Sequence, residues 1–68
     1  TYIDKVDSVI LSIINTKWNT VDELCKKVEV NKFDFISSVR RLIYFKGLLV
    51  TKENKEINQK SLISKVKR

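Results

Sequence analysis

"TVDELCKKVEVNKFDFISSVRRL", Thr20–Leu42, decides the fold. Thr20 followed by Glu23 matches the capping-box pattern, in which the hydroxyl caps a helix start and the carboxylate reaches back. The helix it opens is short, with Val21, Leu24, Cys25 and Val28 apolar and Lys26 and Lys27 outside. "EVN" interrupts that pattern. Asn31 is a good cap for a second helix, and Asp34 adds an acidic residue to its first turn, where the helix dipole favours negative charge. From Lys32 onward, Phe35, Ile36, Val39, Leu42 and Ile43 recur at spacings of three and four, so this helix also has a buried face. It is expected to run to about Lys46, with Gly47, the only glycine, at a left-handed C-terminal cap.

Working outward, "YIDKVDSVILSIINTK" sets Ile3, Val6, Ile10, Ile13 and Ile14 on one helical stripe, widened by Val9 and Leu11 and ended by Asn15 and Thr16. "KWN" is too short to assign. Trp18 is expected to cover the core beside the first helix, and Cys25 to be a buried thiol. Downstream, "LLVT" and "INQ" flank the polar turn "KENKE" and predict a β-hairpin, although Asn-Lys is a weaker turn signal than Asn-Gly. "KSLISKVKR" gathers Leu62, Ile63 and Val66 on one side behind Ser61 and reads as a partial helix. The expected organisation is a folded domain over 1–60 and a basic tail over 61–68.

Sixty-eight residues make one domain with a modest core. There is no His, which removes the usual general base near neutral pH and the commonest zinc ligand. A single Cys cannot form an internal disulfide or a metal cage. These absences point away from an enzyme and from any cofactor, toward a binding protein in a reducing, intracellular compartment. The longest apolar run, "VILSIIN", is broken by Ser12 and is far below the ~20 residues of a membrane span. Net charge is +6, and it is unevenly spread. Residues 1–31 carry four Lys against five Asp/Glu, or −1, while residues 32–68 carry ten Lys/Arg against three Asp/Glu, or +7. Such a skew attracts polyanions.

Helix, short helix, three-residue turn, long helix, glycine, hairpin: this order resembles the winged helix-turn-helix superfamily. The resemblance covers roughly Ile3 to Gln59. "TVDELCKKVEVNKFDFISSVRRL" is similar to the superfamily's second helix, turn and recognition helix, and "KGLLVTKENKEI" to the end of that helix and the wing. Glu29 stands where the pattern prefers glycine. The fold class implied is α+β, mainly α, with three helices and a C-terminal β-hairpin wing. The function implied is double-stranded DNA binding in transcriptional regulation, with the third helix in the major groove and the wing on the backbone. With Val39 at zero and 100° per residue, Phe35, Ile36, Leu42, Ile43 and Lys46 turn toward the core. Phe33, Asp34, Ser37, Arg41, Tyr44 and Phe45 lie opposite, with Ser38 and Arg40 at the flanks. Arg41, Ser37 and Tyr44 would then reach base edges, while Lys32, Arg40, Lys52 and Lys55 would neutralise phosphates.

A protein partner is the alternative, since some assemblies of polymerase, membrane-remodelling or ubiquitin-ligase type use modules that resemble this fold. Phe33, Tyr44 and Phe45 beside Arg are the composition of a protein hot spot, Asp34 opposes DNA, and Lys52 and Lys55 alternate with Glu53 and Glu56 along the wing. The plainer expectation is that Phe45 packs on the wing and Phe33 on the second helix. Val9, Leu11, Leu62, Ile63 and Val66 are candidates for a homodimer seam.

Overall fold

The computed structural model describes residues 2–53 and 56–66. Among these described residues, three helices and three strands make a small α+β domain: α1 (Tyr2–Ile13), β1 (Asn19–Thr20), α2 (Val21–Cys25), α3 (Lys32–Tyr44), β2 (Leu49–Thr51) and β3 (Leu62–Lys65). Helix starts follow the local chemistry. Thr20 Oγ1 accepts the Glu23 N–H at 3.2 Å, while the Glu23 carboxylate reaches back to the Asn19 side-chain amide. Asn31 Oδ1 accepts the Phe33 N–H at 2.8 Å. Gly47 ends the region after α3 at φ +62°, a left-handed conformation that a side chain resists. Glu29 needs no such conformation, because among the described residues no non-glycine has positive φ.

The strands correct the expected hairpin. The partner of β2 is Leu62–Lys65, and "INQ" forms no strand. Asn58 Oδ1 accepts the Lys60 N–H and Ser61 Oγ accepts the Asn58 N–H, so side chains close a local turn over 58–61. The expected partial helix at 61–68 is also replaced: β3 lies at the centre of an antiparallel sheet ordered β1-β3-β2. Asn19 pairs with Ile63 on one side, and Val50 pairs with Ser64 on the other. A last helix of so few residues is marginal alone, whereas a central strand satisfies its backbone on both edges. The segment 61–66 thus belongs to the domain body rather than to a tail. Lys67 and Arg68 lie outside the described residues.

The core joins all these elements. Val6, Ile10 and Ile14 of α1 and its exit meet Val21 and Leu24 of α2, and Phe35, Val39 and Leu42 of α3. Leu49, Ile57 and Ile63 close it from the sheet side. Ile3, placed on the stripe by spacing, is instead exposed, as α1 extends past the packed region. Trp18 is only partly covered. The C-terminal segment also serves as a cap for α2, since the Val21 and Asp22 N–H groups donate to the Ser61 and Gln59 carbonyls.

Candidate nucleic-acid interface

The outward face of α3 is the candidate surface, and its orientation follows from which residues are buried. Phe35, Ser38, Val39 and Leu42 are buried, and Ile36 and Ile43 are half-buried. The centre of burial therefore lies well to the Ser38 side of Val39. At 100° per residue this turns Phe33, Ser37, Arg40 and Tyr44 fully outward, and all four are exposed. The same rotation carries Arg41 off the outer face toward α1.

Arg41 is engaged there by Asp7, a carboxylate only 4% exposed. Arg41 Nη2 donates to Asp7 Oδ1 at 2.5 Å and Nε to Oδ2 at 3.3 Å, a two-pronged pair in which the planar guanidinium matches the carboxylate. Lys46 Nζ adds a third contact to Oδ2 at 3.2 Å, and Arg41 Nη2 also reaches Ser38 Oγ at 3.1 Å. Burial on its own would push the Asp7 carboxyl upward and is the largest single influence. The bonds from Arg41, Lys46 and Ser38 together outweigh it, and the carboxyl sits below its ordinary range. The bond from Asp7 correspondingly raises the Arg41 guanidinium. Base reading by Arg41 and an inward Lys46 are both corrected here: one carboxylate holds both cations at the α1–α3 seam. Asp7 was the residue missed, although its position announces it. It precedes Ile10 by three residues and Ile14 by seven, on the buried stripe of α1, and a charge placed there needs a cation.

Arg40 remains on the outer face but is not free. Its Nη2 donates to Glu56 Oε1 at 3.1 Å and to the Ile57 carbonyl at 3.3 Å, joining α3 to the chain between β2 and β3. With the arginine side chain 44% and the glutamate 85% exposed, this pair stands in solvent. Glu56, which alternates with lysines in the expected hairpin, engages α3 instead. Lys32, Lys52 and Lys60 are exposed and form no ion pair among the described residues. Lys55 lies outside the described residues.

Tyr44 is 56%, Phe33 76% and Phe45 86% exposed. Neither phenylalanine is covered, although Phe45 is expected against the hairpin and Phe33 against the second helix. Asp34 accepts a hydrogen bond from the Tyr2 hydroxyl at 3.1 Å, which together with burial raises the phenol. Protein-family models, curated proteins and solved structures offer no match to this chain. Among the described residues no cluster of ligating side chains could hold a metal, and no helix is long and apolar enough to cross a membrane. Cys25 is half-buried with its thiol pushed up by burial and then by Asp22, the reverse of an activated nucleophile.

Proposed function

We propose that the chain is a winged helix-turn-helix domain that binds double-stranded DNA mainly through the phosphate backbone. The order α1-β1-α2-α3-β2-β3 with sheet order β1-β3-β2 supports that architecture, with the β2–β3 connection as the wing. The observation that carries the function is unneutralised charge. Residues 32–68 hold a net +7, and Lys32, Lys52 and Lys60 expose amines that no carboxylate among the described residues engages. Phosphate contacts of this kind supply affinity without sequence information. With Arg41 withdrawn, Ser37 and Tyr44 are the side chains left to touch base edges, so weak sequence preference is expected.

A partner protein is the second reading, and one specific observation favours it: Phe33, Tyr44 and Phe45 all stand exposed on α3 and its C-terminal cap. Exposed aromatics near an arginine suit a protein hot spot better than a wet groove. Fluorescence anisotropy with a random duplex at low and moderate salt separates the two. Micromolar binding that fades steeply with salt is the expected result. Absence of binding at low salt would transfer the surface to a protein partner.

A further inference from the structure

We propose that Arg40 is an oxyanion subsite for a backbone phosphate, occupied in the free protein by the chain's own Glu56 carboxylate. The inference rests on the DNA-binding reading above. An open cleft of about 410 Å³ separates α3 from the later part of the β2–β3 connection, with Phe33, Ile36 and Arg40 on one wall and Glu56, Asn58 and Gln59 on the other. Arg40 is the one α3 cation that faces this cleft, and a single Nη2 holds both Glu56 and the Ile57 carbonyl. A carboxylate oxygen on a guanidinium marks where a phosphate oxygen also fits, since both are anionic oxygens that accept charge-assisted hydrogen bonds from its N–H groups.

The two contacts differ in how easily they yield. Glu56 is almost wholly solvated, and exposed ion pairs contribute little. Ile57, by contrast, is anchored in the core, so its carbonyl stays in place when Glu56 swings away. Arg40 therefore keeps one fixed acceptor, which orients the guanidinium, and has one exchangeable acceptor. DNA arriving at α3 would displace a charge already paired, so Glu56 lowers affinity and trims the salt response of this contact.

Binding of the whole chain to a random duplex across a salt series tests the subsite, with Glu56→Gln, Arg40→Ala and the double variant beside the original. Thermal melts establish that each variant is folded. Glu56→Gln is expected to tighten binding about two- to fivefold at low salt and to steepen the salt slope by as much as about 0.9. In the Arg40→Ala background, Glu56→Gln should change nothing. Equal gains with and without Arg40 would reduce Glu56 to a distant repulsive charge and overturn the subsite. No gain from Glu56→Gln in a protein that binds DNA would overturn it while leaving the DNA reading intact. No binding by any of the four would overturn both.

Discussion

Asp7 is a charged residue where the helix pattern calls for an apolar one, and Arg41, Lys46 and Ser38 make that tolerable. Removing Asp7 takes away the counter-charge that Arg41 and Lys46 share and leaves two cations facing each other at the seam. Asp7→Ala should thus cost roughly 2–4 kcal/mol, below the full value for a buried pair because Arg41 is partly solvated. Urea titration would measure it, and a loss under about 0.5 kcal/mol would contradict the role given to this pair. Because the folded-state pKa of Asp7 is depressed, its contribution is complete above the unfolded carboxylate value. It declines as pH falls through the lower, folded value. Acid melts should show a steeper loss for the original chain than for Asp7→Ala. Arg41→Ala should likewise lower stability, yet leave the ratio of affinities between duplexes of different sequence unchanged. A change in that ratio, measured by competition binding, would return Arg41 to the bases. Both Asp7 and its need for a partner were legible in the sequence. The identity of that partner was not, since a rotation of some 50° about the α3 axis chooses between Arg41 outward and Arg41 inward.

Local signals specified the helices well because their causes are local. Thr20 and Asn31 each cap through a side-chain oxygen two or three residues from its donor. Gly47 takes the left-handed conformation for which its missing side chain suits it. No atom lies within 4 Å of where a Cβ would sit at Gly47, so an alanine there meets no neighbour. The cost of Gly47→Ala is then conformational alone, about 1–2 kcal/mol. Calorimetry should record a melting temperature lower by about 4–8 °C per kcal/mol for a domain of this size, with Gly47→Asn falling less. Strands were harder to place. β1 has two residues, too few for any period, and in β3 the apolar Leu62, Ile63 and Val66 fit a helix as well as a strand. Only pairing with strands distant in sequence distinguishes them, Ile63 with Thr51 on one side and with Asn19 on the other, and no short window of sequence contains that information.

Across the molecule, the positive excess lies in residues 32–68. Lys32→Ala and Lys52→Ala should each weaken every duplex alike and reduce the salt slope by about 0.9; unequal effects across sequences would imply contacts beyond phosphates. The skew that prompts this is plain from composition, and helix spacing already sets Phe33, Tyr44 and Phe45 opposite the core; whether they are then covered depends on neighbours that only the fold supplies. Ile63 is wholly buried at the centre of the sheet, so Ile63→Ala should cost about 2–5 kcal/mol. A residue in a solvated tail would cost under about 0.5, and chemical denaturation distinguishes the two. The last strand's central position has a consequence for biosynthesis. With β1 and β2 both waiting for Leu62–Lys65, a nascent chain leaving the ribosome can form its helices early. It cannot complete this sheet until β3 has emerged. Through that interval the hydrophobic sides of α1 and α3 lack their lid, and they are open to capture by chaperones.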